Sequence, residues 1–370
     1  MISFIHIKNF KSLKNIYLKP SNLNLCFGMN GMGKSSLLQV FLLLRQSFFK
    51  GTLQENGLLL QGGNLVTIGR GKDAFCQNAG KDELMTIELR DTNGAELSWQ
   101  FRYESATDIL PLASFETSSA ELKPISLFTP QFHYLSAEHL SPQTIYSKSE
   151  FEVTRHKNLG IKGEYAVHYL SHFGSSTKIS YPNLHHPKAY SDTLLHQTAA
   201  WLGDISPGTK INVEDIKGVD LVRMGIQFET EEGYTNEFLP INVGFGITYV
   251  LPLIVALLKA QPDDLILIEN PESHLHPKGQ STVGRLMALA AQNGVQILAE
   301  SHSDHIINGV RVAVKESLID KNNVSVYYFE RKKSSHETKI THIEIDQFGE
   351  LSHYPEGLLD EWQNLLMRLL

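Results

Sequence analysis

The chain has 370 residues, of which 42% are hydrophobic and 20% are charged, and its net charge is −7. These values exclude a disordered or collagen-like chain. The negative net charge argues against a protein that, as a whole, binds nucleic acid. The two cysteines, Cys26 and Cys76, are too few for a disulfide framework. No secretory pattern opens the chain, and its most apolar stretch, residues 249–258, is about half a membrane span. We therefore expect a soluble, cytoplasmic protein with no membrane contact.

The N-terminal part is predicted to consist of short strands that lead to a glycine-rich loop. Residues 2–7 fit a strand, Ile16 and Leu18 indicate a second one, and LNLCF at residues 23–27 is an apolar strand that runs directly into Gly28. In the segment that follows the loop, SSLLQVFLLLRQSFF, the apolar positions are too dense for a surface helix. We therefore predict a mostly buried helix there.

Turn signals and short alternating segments dominate the next part of the chain. LMTIELRD and AELSWQFRYE predict a hairpin around Asn93-Gly94, and FHYLSAEH predicts a strand with a polar exit. Residues 140–235 are irregular, with a helix expected over residues 192–202 and a strand at IQFETEEG. NEFLPINV is predicted to be a further strand.

Strands alternate with helices in the last third of the chain, which predicts a parallel sheet. DDLILIEN is continuously apolar until its acidic end, as expected for a buried parallel strand that ends in a functional site. Neither repeats nor sustained heptads occur, so a long coiled coil is not expected. The other predicted strands are VQILAESH, VSVYYFER and ITHIEID, and the predicted helices span residues 246–259 (bent at Pro252), 281–292, 303–318 and 358–370.

Residues 28–35, GMNGMGKS, match the P-loop pattern G-x-x-x-x-G-K-[ST], with a predicted strand before them and a helix after. Glycines allow successive backbone N–H groups to surround phosphate oxygens, and the helix N-terminus adds a favourable dipole. Lys34 would reach the β- and γ-phosphates, and Ser35 would bind Mg²⁺ through its hydroxyl. The sequence therefore predicts that ATP and Mg²⁺ are bound, and the nucleotide-binding residues are Asn30, Gly31, Met32, Gly33, Lys34, Ser35 and Ser36.

A second site is predicted where the strand LILIE ends, because Glu269 would organise Mg²⁺ there through water, as a Walker B carboxylate does. The run PESHLHP at residues 271–277 resembles the corresponding loop of ABC-class ATPases of the phage-defence type, in which it contacts the partner subunit. In that class an aspartate usually stands at Glu269 and a catalytic glutamate at Asn270. Asparagine cannot accept a proton from the attacking water. Either Glu272 polarises the water, or hydrolysis is slow and ATP mainly holds a conformation. We expect slow hydrolysis.

Histidines cluster in two segments of the same region. AESHS at residues 299–303 resembles the switch-histidine segment of ABC ATPases, so His302 is predicted to contact the γ-phosphate. The predicted catalytic set is then Glu269, Asn270, Glu272 and His302. A zinc site is the alternative, because the spacing suits metal ligation by His274, His276, His302, Asp304 and His305.

A homodimer is implied by a further motif of this class. ABC ATPases cap the γ-phosphate with a glycine-containing signature loop from the neighbouring subunit. INVGFGIT at residues 241–248 precedes the Walker B strand and opens a helix, so Gly244 and Gly246 are predicted to contact the nucleotide of a second copy. Close packing at a helix entry is the alternative role of the two glycines. Glu138 is predicted to replace the glutamine of the Q-loop.

The resemblance extends over nearly the whole chain. IKNFKSL at residues 7–13 is similar to the first strand and turn of SMC and RecF heads, and residues 348–361 resemble the tail of an uncharacterised family of predicted bacterial ATPases. The resemblance implies an α/β ABC-type P-loop ATPase head, with a mixed sheet flanked by helices, an antiparallel β subdomain and an inserted irregular or helical lobe. Within this single domain over residues 1–370, the expected segments are the P-loop (1–50), the β-rich subdomain (51–139), the lobe (140–235), the signature, Walker B and switch-histidine segment (236–320) and the C-terminal strands and helix (321–370).

Similarity to OLD-family and PtuA-like ATPases implies a sensor or scaffold that dimerises around ATP in an anti-phage defence complex. No nuclease module is evident, so the effector, a nuclease or another toxin, is expected to be a separate protein. Nucleic acid would then be contacted through the complex. The alternative is a RecF-like DNA-repair ATPase that binds DNA directly, which would need a basic face. A P-loop kinase or transport ATPase ranks last.

Overall fold

A computed structural model describes residues 1–80, 82–118 and 125–369 and has an α/β fold. Its strands, in chain order, are β1 (Ile2–Phe10), β2 (Leu13–Leu18), β3 (Leu23–Phe27), β4 (Gly57–Leu59), β5 (Met85–Asp91), β6 (Glu96–Phe101), β7 (Ile109–Thr117), β8 (Phe132–Leu135), β9 (Tyr146–Ser147), β10 (Thr209–Asp215), β11 (Leu221–Thr230), β12 (Gly233–Tyr234), β13 (Leu265–Glu269), β14 (Gln296–Glu300), β15 (Val324–Arg331) and β16 (Thr338–Ile343). Its helices are α1 (Lys34–Phe49), α2 (Gly71–Ala74), α3 (Ala166–Phe173), α4 (Leu194–Ile205), α5 (Phe245–Lys259), α6 (Pro277–Gln292), α7 (Asp304–Lys315) and α8 (Glu361–Leu369).

The chain divides into two compact units. The first comprises Met1–Phe132, Val324–Glu344 and the residues from Leu351 onward, and the second comprises His133–Asn323 and Ile345–Glu350. The C-terminal strands therefore belong to the same unit as the P-loop, although about 290 positions separate them in the sequence.

The first unit contains an antiparallel sheet with the strand order β2-β1-β5-β6-β7-β4. The predicted hairpin around Asn93-Gly94 is confirmed as β5 and β6. Gly94 has φ 84°, and the Asp91 carboxylate accepts the N–H groups of Asn93 (2.9 Å) and Ala95 (2.7 Å). An aspartate that bonds its own turn in this way stabilises the reversal of the chain.

The strand before the P-loop pairs with the C-terminal strands. In the first unit β3 is parallel to β15, and β15 is antiparallel to β16, so this part of the structure is a mixed sheet. Every residue of β3 is buried, as is most of α1, including Leu37, Leu38 and Phe41. The prediction of a mostly buried helix is therefore confirmed.

The second unit holds a β13-α6-β14-α7 arrangement, which confirms the predicted alternation around a parallel sheet. β13 and β14 pair in parallel, from Leu265 with Gln296 to Glu269 with Glu300, and β8 is the neighbour of β13 in the sheet. Helices α6 and α7 pack closely because Gly309 has no side chain: a Cβ there would lie 2.2 Å from the Ser281 carbonyl oxygen.

The inserted lobe is more regular than the sequence indicates. It contains α3, α4 and an antiparallel pair, β10 and β11, to which β9 and β12 add short pairings with β11. Among the described residues, no helix is both long and apolar enough to cross a bilayer.

Several predicted boundaries are wrong. NEFLPINV is not a strand: Phe238 makes one isolated bridge to Ile226, and Pro240–Asn242 is a 3-10 turn, because proline fixes φ and has no N–H to donate. Helix α6 begins at Pro277, since proline is favourable in the first helical turn. Helix α8 begins at Glu361, and the predicted helix end at Leu370 lies outside the described residues.

Candidate nucleotide-binding site

The P-loop joins β3 to α1, and its glycines have a backbone conformation that other residues rarely adopt. Gly28, Gly31 and Gly33 have φ values of 139°, 75° and 101°, in the region where only glycine is free of steric strain. A Cβ at Gly28 would also lie 2.2 Å from the Phe329 carbonyl oxygen on β15. The loop can therefore follow this path only with glycine at these positions.

Lys34, the first residue of α1, folds back over the loop. Its side chain is buried, and its Nζ donates to the carbonyl oxygens of Gly28 (2.8 Å) and Met29 (2.9 Å). The ammonium group thus crosses the loop, where a P-loop lysine reaches phosphate. Met29 and Asn30 are exposed at the tip, and Ser35 is exposed at the start of the helix.

All seven residues predicted to bind nucleotide lie on this loop or in the first turn of α1. Five of them are at least partly exposed, whereas Lys34 and Ser36 are buried. The hydroxyl of Ser35 is a suitable oxygen ligand for Mg²⁺. The residues are Asn30, Gly31, Met32, Gly33, Lys34, Ser35 and Ser36.

In the second unit, Glu269 ends β13 and is partly exposed. Its Oε2 accepts the N–H of Ala137, 3.1 Å away. Burial raises the pKa of the neighbouring Tyr134, and the charge of Glu269 and a hydrogen bond to it raise the pKa further. Tyr134 therefore remains a neutral hydrogen-bond partner of the Glu269 carboxylate.

Asn270 follows in a left-handed conformation with φ 49°. Its N–H donates to the Glu300 carbonyl at the end of β14, 2.9 Å away. Asparagine tolerates this conformation better than most residues. Asn270, which is predicted to provide no general base, therefore suits the backbone conformation at its position.

Glu272 connects the Walker B loop to the switch-histidine segment. Its Oε2 accepts the Ser301 hydroxyl (2.8 Å), and its Oε1 accepts the backbone N–H of His302 (2.8 Å). Both carboxylate oxygens are therefore engaged in holding the residues before and at the predicted switch histidine. The His302 side chain itself is exposed at the carboxyl end of β14.

The zinc alternative finds no support in the geometry. Within the described ranges, no three His, Cys, Asp or Glu side chains converge as metal ligands would. Two of these histidines have structural partners: the ring centroids of His274 and Tyr249 are 4.4 Å apart, and His276 Nδ1 accepts the Lys278 N–H at the start of α6.

The two signature glycines have different surroundings. Gly244 caps the N-terminus of α5 with φ −61°, and a Cβ there would have nothing within 4 Å. A Cβ at Gly246 would lie 2.8 Å from the His274 carbonyl oxygen, so close packing explains this glycine. Ile241 and Phe245 beside Gly244 are 50% and 57% exposed. Gly244 therefore opens a helix N-terminus that faces solvent. The predicted Q-loop residue Glu138 is ion-paired with Lys162 (2.7 Å), which lowers the pKa of its carboxyl group.

His139 was not recognised from the sequence, although it contacts the Walker B turn. Its ring lies beside the backbone of Glu269 and Asn270, and the ring centroids of His139 and Tyr249 are 5.3 Å apart. Burial lowers the pKa of His139, and the charge of His274 lowers it further, whereas the hydrogen-bonding effect of the Glu269 and Asn270 backbone raises it. The signal in the sequence was its position at the polar end of the predicted strand segment FHYLSAEH.

This lowered pKa predicts a pH dependence of stability. Protonation of His139 is less favourable in the folded protein than at its ordinary pKa of 6.5, so its stabilising contribution is complete above that value and decreases as the pH falls below it. We expect the free energy of unfolding, measured with urea, to decrease from about pH 7.5 to about pH 5.5, and to decrease less in His139→Asn. The exposed His353→Asn is the control, and an equal decrease in all three proteins would contradict the assignment.

Comparison with solved structures shows the same fold. The chain is similar to the crystal structure of the SmcHead bound to the C-winged helix domain of ScpA, with a TM-score of 0.52 and 12% identity over 94% of this chain and 98% of that chain. It is also similar to the Smc head domain with an extended coiled coil bound to the C-terminal domain of ScpA, derived from Pyrococcus furiosus. Here the TM-score is 0.50 and the identity 10%, over 100% of this chain and 99% of that chain.

The α/β fold with its mixed sheet, the P-loop and this likeness show an ABC-type P-loop ATPase fold, like that of SMC heads. The family described as "AAA domain, putative AbiEii toxin, Type IV TA system" matches residues 23–308, well over half of the chain, and the chain belongs to that family. A second family, described as "Protein of unknown function (DUF3696)", matches residues 319–369. A search of curated proteins found no match.

Proposed function

We propose that this chain binds Mg·ATP, dimerises around it and hydrolyses it slowly, as the sensor or scaffold subunit of an anti-phage defence complex. The observation that carries the proposal is the solvent-facing N-terminus of α5 at Gly244. A helix N-terminus offers unpaired N–H groups and a favourable dipole to an anion. In a signature-type dimer, that anion is the γ-phosphate held by the P-loop of the second copy.

Mg²⁺ would be held by the hydroxyl of Ser35, because an oxygen ligand of this type suits the ion. We assign Glu272 a positioning role: its two hydrogen bonds hold the segment that presents His302. Hydrolysis is slow because Asn270 supplies no general base.

The defence role rests on the family, whose description names an AbiEii toxin and a Type IV toxin–antitoxin system. A separate effector, a nuclease or another toxin, would carry out the damaging reaction, while ATP binding sets the state of the complex. Any contact with nucleic acid would be made through that complex, because the chain itself carries a net charge of −7.

Gly244→Asp tests the dimer. Aspartate is a favourable N-cap residue, and a Cβ at this position would meet nothing within 4 Å in the protomer, so the folded monomer should be unaffected. A carboxylate facing the neighbour's γ-phosphate should raise the dissociation constant of the ATP-bound dimer on the order of a hundredfold, because like charges repel. Sedimentation at saturating ATP measures this constant.

The matched control is Gly203→Asp, at another glycine whose Cβ would have nothing within 4 Å. It should dimerise like the wild type. A wild-type protein that stays monomeric at saturating ATP would refute the dimer. A Gly244→Asp protein that dimerises normally would refute the role of this loop.

A further inference from the structure

The tip of the C-terminal hairpin contacts the P-loop. Arg331 ends β15 and pairs with Thr338, which begins β16. The Arg331 guanidinium donates to the carbonyl of Gly31, and the Thr338 Oγ1 donates to the carbonyl of Met32, 2.8 Å away. Two consecutive loop carbonyls are therefore held by one hairpin from a segment that lies outside the ATPase family match.

These contacts determine the direction of two backbone N–H groups. A trans peptide is planar, so the C=O of one residue and the N–H of the next point in opposite directions. Holding the Gly31 carbonyl orients the Met32 N–H, and holding the Met32 carbonyl orients the Gly33 N–H. P-loops bind phosphate through such N–H groups, so the hairpin orients part of the phosphate cradle.

The hairpin tip is itself held in place. Thr338 is buried, its N–H donates to the Ser12 carbonyl (2.9 Å), and its hydroxyl oxygen lies 2.7 Å from the Ser12 hydroxyl. A Cβ at Gly33 would lie 2.5 Å from the Thr338 Oγ1. The loop and the tip therefore fit against each other without room for another atom.

The Arg331 guanidinium has a further N–H group that can donate a hydrogen bond. Its Nε–H is buried and has no acceptor in the part of the chain that the structure describes. A buried donor without a partner costs about 1–3 kcal/mol. The guanidinium nevertheless occupies this position, where another of its nitrogens donates to the Gly31 carbonyl.

We propose that Arg331 and Thr338 are positioning residues of the nucleotide site, which orient the Met32 and Gly33 amides towards the phosphate chain. The segment at residues 319–369 then has a defined role: its hairpin prepares the P-loop to bind phosphate. This inference rests on the proposed binding of ATP by the P-loop.

Thr338→Val and Arg331→Met test the proposal. Each removes one hydrogen bond to a loop carbonyl, and we expect each to weaken the binding of ATP and of inorganic tripolyphosphate by the same factor, about tenfold. Thr338→Ser keeps the hydroxyl and should restore wild-type affinity. Competition against a fluorescent ATP analogue measures both ligands.

Lys339→Met is the matched control, because Lys339 lies on the same hairpin and pairs with Glu330 (2.6 Å) rather than with the loop. It should bind both ligands like the wild type. The proposal is overturned if the Thr338 and Arg331 variants bind normally, if Thr338→Ser fails to restore affinity, or if only ATP and not tripolyphosphate is affected.

Lys34→Ala separates this inference from ATP binding itself. If Lys34→Ala loses ATP while Thr338→Val and Arg331→Met retain it, only the role of the hairpin is refuted. If Lys34→Ala binds ATP normally, the P-loop assignment fails, and with it the basis of the inference. Thr338→Val nearly preserves side-chain volume, so it remains informative if Arg331→Met unfolds.

Discussion

Lys34→Ala is expected to weaken ATP binding by about tenfold to a hundredfold. The substitution removes hydrogen bonds from a charged donor to phosphate, and each such bond is worth about 1.5–3 kcal/mol to stability. Lys34 Nζ already lies across the loop, on the carbonyls of Gly28 and Met29. Isothermal titration calorimetry measures the affinity.

Lys50→Ala is the control for this change, since Lys50 is exposed at the other end of α1. It should bind ATP normally. The same pair of variants tests the defence proposal: phage plating on cells that carry the chain with its neighbouring genes should show protection by wild type and Lys50→Ala, but not by Lys34→Ala. If none of the three reduces the plaque count, the defence role is refuted and the ATPase assignment remains intact.

Asn270→Glu is expected to raise the rate of ATP hydrolysis on the order of a hundredfold, because we propose that the wild type lacks a general base here and the glutamate would supply one. The left-handed φ of 49° at this position will reduce stability by about 1 kcal/mol, since glutamate adopts it less readily than asparagine. Steady-state phosphate release at saturating ATP measures the rate, and the unfolding midpoint measures the strain.

Asn270→Gln is the matched control for this change, because it has the same length as glutamate but cannot act as a base. It should remain as slow as wild type. If Asn270→Glu is equally slow while binding ATP normally, the missing base does not limit hydrolysis. The segment that Glu272 holds through Ser301 and His302 would then be the expected limit on hydrolysis.

The local pattern of apolar residues was sufficient to predict much of the fold. The apolar run of β3 followed by Gly28, and the alternation from β13 to α7, were predictable because a buried strand or helix must be apolar over its whole length. The prediction failed at residues 236–243, where the alternation resembles a strand. There Pro240 cannot donate a ladder hydrogen bond, so the chain turns instead.

The site was predictable where its chemistry lies in one contiguous motif. Lys34, Ser35, Glu269 and Asn270 stand beside strand ends that the sequence already indicates. His139 was missed because its role comes from contact with the Walker B turn, about 130 positions later in the chain. Nothing in the local sequence of a histidine reports such a partner.

The sequence by itself indicated the class of protein, because the P-loop is accompanied by the segments at residues 269–277 and 299–303, which resemble those of ABC-class ATPases. The tertiary structure decided which residues prepare that loop. Arg331 is 300 positions from Gly31, and Thr338 is 306 from Met32, and both are brought to the loop by the parallel pairing of β3 with β15. The physical reason is that motif chemistry is local, whereas the orientation of a loop's peptides depends on whichever distant segment the sheet places against it.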